Sequence, residues 1–413
     1  MTDVRTAAAP SWVPIVVTVT LVQAVLALMI RVLPLLGMPL TQASGVPPEA
    51  VGQLSSAAAF GSMCFFLWGP TALVRFSSLQ QLQLGCVTSA AALLFCLFNR
   101  WEAMLLASFV IGLGYGTATP AGADLLMKVV PKARRATIFS VKQAGVPLGG
   151  LAAGLLLPFV ALHFGGVPAA MITACVLALG SAAALALWKG AMDDSPPPTR
   201  ALPFRDLALA PVRLIALLMR DRQLRLLTAA GFCLGVAQGI LMAFYAVFLS
   251  DHAGWSLAAA GAGFALLQGA GVAGRITMGW LSDRIGDPVR ALSGLCFVSG
   301  ITMALVATIG PNSPVAWIVL LSVLAGITVI SWNGVFLTGL AETAPEGRVG
   351  EITAAGTFVL FSGYVLCPVL IQTVFAATEG YATGLVISGL APVLAGTALM
   401  IGARRRRDDM TKG

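Results

Sequence analysis

GRITMGWLSDRIGDPVR, residues 274–290, joins two strongly apolar segments. Gly279, Asp283, Arg284, Gly286 and Arg290 all fall in its last twelve residues. The first part continues the apolar run before it, and the second is a short charged turn. A turn this compact, with glycine at both ends, predicts two helices whose ends approach closely and grip a third element. Arg275 lies one helical turn before Gly279, inside the apolar segment. A cation held within a membrane is costly and as a rule functional.

The surrounding chain sets that stretch in a bilayer. Of its 413 residues, 58% are hydrophobic and only 10% charged, which excludes a soluble domain. Apolar runs of about 20 residues, each able to cross ~30 Å of hydrocarbon, follow one another along the sequence. With no water to satisfy the backbone, each must be a helix. The first run, from Trp12, is too long for a signal-peptide core and is expected to be the first span. Twelve spans are expected, at about 12–33, 51–74, 82–98, 103–126, 137–162, 167–188, 224–249, 257–281, 291–309, 315–340, 352–377 and 382–401.

The net charge of +8 invites a nucleic-acid reading, but its distribution excludes one. With the N-terminus inside, all but four of the 25 Lys and Arg residues fall on cytoplasmic segments. Arg100 is on an outer loop, and Arg31, Lys142 and Arg275 are within spans. This asymmetry predicts a multi-pass plasma-membrane protein with both termini cytoplasmic, touching anionic lipid at its inner face. The seven cysteines all lie in apolar spans with no CxxC pair, so no disulfide framework and no metal site are expected. His163 and His252 fall in outer loops, so no histidine relay is expected in the core.

Composition shifts once. Residues 189–223 form a cytoplasmic linker rich in proline and charge, and Pro211 to Arg225 alternates Arg with Leu as an amphipathic surface helix would. The chain thus divides into a cytoplasmic tail (1–11), a first six-helix bundle (12–188), the linker (189–223), a second bundle (224–403) and a basic tail (404–413). Pro131 and Arg134, after span 4, match Pro345 and Arg348, after span 10, at a constant offset of 214. Two similar six-helix halves suit a transporter that rocks about a site near the midplane.

The pattern glycine, three residues, then Asp-Arg-x-Gly with a further basic residue resembles the loop motif of the major facilitator superfamily of secondary transporters. Gly279, Asp283, Arg284, Gly286 and Arg290 carry that resemblance, which spans about residues 12–407. It implies an all-α membrane protein of twelve transmembrane helices in two pseudo-symmetric six-helix bundles. It also implies an inner gate held by Asp283, the nearby arginines and a helix N-terminus. Glu342, Glu346 and Glu351 are the candidate partners of Arg284 and Arg290. In the first half Gly69 and Arg75 remain, but Leu73 stands where the acid belongs. That half of the lock is expected to be weaker or built differently. Gly145 to Gly150 (GVPLGG) is similar to the glycine-proline motif of proton-coupled drug antiporters, with proline displaced by one position.

Arg275 matches the span-8 arginine with which monocarboxylate and oxalate branches of the superfamily bind a carboxylate. Arg31 is placed like the span-1 arginine of its organic-anion symporters. A guanidinium offers a planar fork to a carboxylate. Lys142 and Gln143, Tyr115, Gln238, Tyr245, Gln268 and Asn333 complete the candidate substrate contacts; Thr119, Trp332 and Tyr364 are polar companions. The alternative is that the three cations snorkel and fix topology, and that each polar residue makes an interhelical bond. No carboxylate lies in the middle of a span, and Asp124 is the candidate for proton coupling.

These features predict a monomeric secondary transporter of a small organic anion, monocarboxylate-like, with a proton as candidate co-substrate. No cofactor and no nucleic-acid partner are expected. The rival is a proton-coupled drug or metabolite efflux antiporter, which the cationic pore disfavours for cationic drugs. No nucleophile–base pair or nucleotide-binding loop is present to suggest an enzyme.

Overall fold

The computed structural model describes residues 12–46, 50–189, 204–255, 257–378 and 381–412. The expected N-terminal tail, Pro47 and Pro48, and the linker stretch 190–203 lie outside the described residues, as do the side chains of residues 404–407.

Among the described residues there are only helices, turns and loops. Six long helical segments come first: α1 (Trp12–Leu35), α2 (Val51–Ala72), α3 (Ser78–Phe98), α4 (Trp101–Val129), α5 (Arg135–His163) and α6 (Gly166–Ala186). Six more follow: α7 (Arg222–Asp251), α8 (Leu257–Ile285), α9 (Pro288–Val306), α10 (Val315–Thr343), α11 (Val349–Ala377) and α12 (Ala382–Lys412). Counted over the described residues alone, ten of these contain stretches long and apolar enough to cross a membrane. The other two, α2 with 22 residues and α8 with 29, are also long enough to cross.

The pairing of the first six helices recurs in the last six. α1 packs on α5, α2 on α4 and α3 on α6; likewise α7 packs on α11, α8 on α10 and α9 on α12. Small residues allow these approaches. At Gly149, for example, a Cβ would fall 2.0 Å from the α1 carbonyl of Ala24. Large side chains such as Leu155, Phe159 and Leu162 remain exposed on α5, as suits a lipid-facing surface.

Two helices are broken. α4 is interrupted at Thr117, because Pro120 has no N–H for the carbonyl of Gly116. α10 is interrupted between Val329 and Asn333, where Ser331 Oγ lies 2.7 Å from the carbonyl of Gly326 and 3.1 Å from that of Gly271. The carbonyls at the end of the first half-helix therefore lack intrahelical partners.

The amphipathic linker helix is shorter than the sequence suggests. It spans Ala210–Arg220, buries Ala210, Leu214 and Leu218 at four-residue spacing, and lies across α2, α7 and α11. It stops because the Asp221 carboxylate accepts the N–H of Leu224 at 2.9 Å and starts a new helix. Arg222 and Arg225 thus belong to α7. At the other end of the chain α12 runs on to Lys412, so the expected basic tail is helical.

Candidate functional site

A cavity of about 230 Å³ lies where the first-half helices α1, α4 and α5 meet α7, α8, α10 and α11 of the second. Its polar lining includes Arg31, Tyr115, Thr119, Gln143, Gln238, Arg275, Asn333, Thr357 and Tyr364. Its apolar wall is built by Phe336, Leu337, Leu360 and Phe361, with Ile30 and Val146. No carboxylate is among the described lining residues.

The two arginines are held differently. Arg31 Nη1 donates to the carbonyl of Ala27 at 2.6 Å, and Gly150 on α5 leaves room beside its guanidinium. Arg275 is buried and does not snorkel. Its Nη1 donates to the carbonyl of Gln143 at 2.9 Å, and its Nε to that of Ile330 at 3.3 Å. Both acceptors are free for reasons of local sequence. Four residues after Gln143 stands Pro147, which has no N–H to offer within α5. Ile330 lies in the break of α10, at the negative end of a half-helix. Arg275 thus ties α8 and α10 to α5 with no acidic partner among the described residues. Replacing Pro147 with alanine restores the N–H that competes for Gln143. We expect the tie to weaken by about 1 kcal/mol, roughly fivefold in the closed-to-open ratio. Spin-label distances across the Asp283 end would lengthen; unchanged distances would count against the tie.

The end of the bundle that carries Asp283 is closed by further contacts between the halves. The Asp283 carboxylate accepts the backbone N–H of Ala136 at 2.9 Å and of Thr137 at 2.8 Å, together with the Thr137 hydroxyl. It therefore caps the N-terminus of α5, where a negative charge is favoured. Gly279 permits this approach, since a Cβ there would fall 2.6 Å from the carbonyl of Ala136. Gly334 on α10 presses on Ser140 in the same way, with 2.4 Å between its notional Cβ and Ser140 Cα. Phe66 meets Phe361 edge-on beneath the cavity, ring centroids 5.4 Å apart. No side chain caps α11, the counterpart of α5; Glu351 lies in its first turn and pairs with Arg348 at 2.8 Å. The N-terminus of α11 therefore lacks the side-chain cap that Asp283 gives α5.

Several expectations need correction. Glu342 does not pair with Arg284 or Arg290; it lies 3.8 Å from Arg135, at the start of the helix that Asp283 caps. Arg284 sits 4.3 Å over the ring of Trp280, and Arg290 pairs with Asp287 at 3.2 Å. Gly286 ends α8 at φ +68°, after which Asp287 caps α9 through the N–H groups of Val289 and Arg290. Tyr245 is not a cavity residue. Its hydroxyl bonds Ser322 at 2.7 Å between α7 and α10. Trp332 is fully buried, its indole donating to Val329, and Gln268 does not line the cavity. Lys142 turns away from the cavity toward Gly122 on α4. Asp124 is bonded to Ser78 and lies 2.9 Å from Lys128, in a separate pocket near the Asp283 end. Sequence reading missed Thr357 and Phe361. Thr357 lies seven residues before Tyr364, on one helical face, and that spacing could have found it.

A family model described as Major Facilitator Superfamily matches residues 19–368. Two relatives, both named uncharacterized MFS-type transporters, come from Mycobacterium tuberculosis. The one from strain H37Rv is 27% identical over 309 residues, and the one from strain CDC 1551 is 26% identical. Each match covers 74% of this chain but 66% of the relative, just under two thirds of its length. Among solved structures, the outward conformation of the fucose transporter FucP aligns with a TM-score of 0.73 at 15% identity, covering 94% of this chain and 99% of that one. A variant of the Escherichia coli fucose:proton symporter FucP gives 0.71 at 15% identity, with 95% and 99% covered. The human organic anion transporter TETRAN gives 0.73 at 16% identity, with 93% and 98% covered. At these identities the likeness is one of fold.

Proposed function

Because the chain belongs to the Major Facilitator Superfamily, we propose that it is a secondary transporter carrying a small organic anion, monocarboxylate-like, through the cavity that holds Arg31 and Arg275. The observation that carries this reading is two guanidiniums and, among the described residues, no carboxylate in one partly apolar cavity. A carboxylate matches such donors in charge and geometry and is bound bidentately. Aromatic and aliphatic walls then accept a short organic body.

The geometry also supports a way of moving it. The two bodies, 12–188 and 224–403, rock about the cavity by alternating access. The Asp283 end, cytoplasmic by its charge, is shut here. A carboxylate reaching Arg275 competes with the Gln143 and Ile330 carbonyls for the same N–H groups. Binding thus loosens one tie between the halves while the substrate bridges them through Arg31. Opening then requires α5 to leave Asp283. Symport with a proton is part of the proposal, as it is the named activity of one structure sharing the fold. Asp124, bonded to Lys128 and Ser78 outside the cavity, does not suit that coupling role.

The test is thermal stabilisation of the purified protein by small carboxylates, amino acids, sugars and lipophilic cations, repeated on Arg275→Ala and Arg31→Ala. A ligand at a hundred times its dissociation constant stabilises the folded state by ~2.7 kcal/mol. Carboxylates should stabilise the native protein and neither variant. Stabilisation by lipophilic cations alone would sink the anion reading.

A further inference from the structure

Lys142 is an ionisable residue for which neither the cavity nor the lock has a use. It is 1% exposed, and its Nζ has no hydrogen-bond partner. Its side chain lies along α4 at Gly122, where a Cβ would fall 2.5 Å from Cε and 2.9 Å from Nζ. Glycine at 122 is what lets the amine lie there.

The charged groups on the elements around α5 are engaged elsewhere. On α1, Arg31 bonds the carbonyl of Ala27. On α4, Asp124 holds Lys128 and Ser78, and Glu102 pairs with Arg100 at the far end. On α8, Asp283 caps α5, Arg275 bonds two carbonyls, and Arg284 covers Trp280. On α10, Glu342 faces Arg135. In the turn before α5, Arg134 lies over Trp12 and Lys132 is exposed. α6 carries no charged residue. Among the described residues, an ammonium here has neither a counter-ion nor an acceptor, and burying a charge in that way is costly.

We propose that Lys142 is a proton-binding site linked to alternation: a neutral amine while the Asp283 end is closed, and an ammonium once that end opens. Its position provides the link. Ser140, two residues earlier, is pressed by Gly279 and Gly334, and Gln143, one residue later, holds Arg275. Parting these contacts lets water into the seam beside Lys142. A hydronium ion arriving through that water gives its proton to the amine nitrogen, one O–H bond breaking as one N–H bond forms and water being left, and the reverse transfer follows when the seam closes. By linkage, acid favours the form open at the Asp283 end. The lysine occupies the role that a membrane carboxylate would otherwise fill, whatever anion the cavity takes.

The chain has five lysines: Lys128, Lys132, Lys142, Lys189 and Lys412. The experiment is nitrogen NMR of the full chain in nanodiscs, with 15N at lysine Nζ, across the neutral pH range. An ordinary lysine stays an ammonium to about pH 10. One resonance should be that of a neutral amine, and it should vanish in Lys142→Met. In Asp283→Asn, whose halves are no longer latched, the same lysine should stay protonated at a pH where the native one has lost its proton. A variant with the other four lysines changed to arginine leaves one line to follow and serves if Lys142→Met does not fold. Five ammonium signals in the native protein would overturn the proposal. So would identical titration of Lys142 in the native protein and in Asp283→Asn.

Discussion

Asp283→Asn is expected to leave folded protein in the membrane and to shift it strongly toward the form open at that end. The carboxylate accepts two backbone N–H groups and a hydroxyl from the first turn of α5. An asparagine keeps one acceptor oxygen but turns an NH2 toward the remaining donors, and it removes the charge that favours the helix N-terminus. Hydrogen bonds to a charged group contribute about 1.5–3 kcal/mol each, and partial exposure of the site reduces this. A net loss of about 2 kcal/mol is expected, ~30-fold in the ratio of closed to open protein. Spin labels at Arg134 and Ile285, on opposite sides of the contact, would report longer distances. Transport should slow, because the cycle must pass through the closed form. Unchanged distances and unchanged transport would mean that Asp283 does not hold the halves together.

Arg275→Lys is expected to lose most of the affinity for carboxylates, by at least ~10²-fold. The native guanidinium reaches two carbonyls on different helices, Gln143 on α5 and Ile330 in the break of α10. That geometry needs a planar group with donors on separate nitrogens. An ammonium is a point charge that cannot span both or grip a carboxylate with two parallel bonds. Losing one bidentate contact and leaving a buried carbonyl unpaired costs about 3 kcal/mol in all. The check is carboxylate binding by thermal shift or calorimetry, with the spin-label distances beside it. Affinity preserved in the lysine variant would show that charge alone suffices, and Arg275 would then be a tie between helices only.

Most of the fold was legible because a bilayer leaves the chain few choices. Apolar runs of fixed length must be helices, and the break in composition near Pro196 to Pro198 marks the division between halves. Helix ends were less legible. Asp221 caps α7 and so takes Arg222 and Arg225 from the linker helix, a local bond that periodicity does not reveal. In the cavity, Arg31, Tyr115, Gln143, Gln238, Arg275 and Asn333 were anticipated as polar residues in apolar spans. Tyr245 and Lys142 satisfy the same criterion, yet one faces Ser322 and the other Gly122. Polarity within a span says that a partner is needed, and only the packing says which.

The residues themselves therefore determined the membrane, the helices, their division into halves and the turn at residues 274–290. Each follows from composition and spacing along the chain, which no neighbour can alter. The tertiary structure alone decided what the charges do. Asp283 caps α5, Glu342 faces Arg135 instead of Arg284, and Arg275 finds the carbonyl that Pro147 leaves free, 132 residues away in sequence. Hydrogen-bond energies fall off within a few ångströms and charge interactions weaken with distance, so both are set by which helices meet, and that is not written in sequence order.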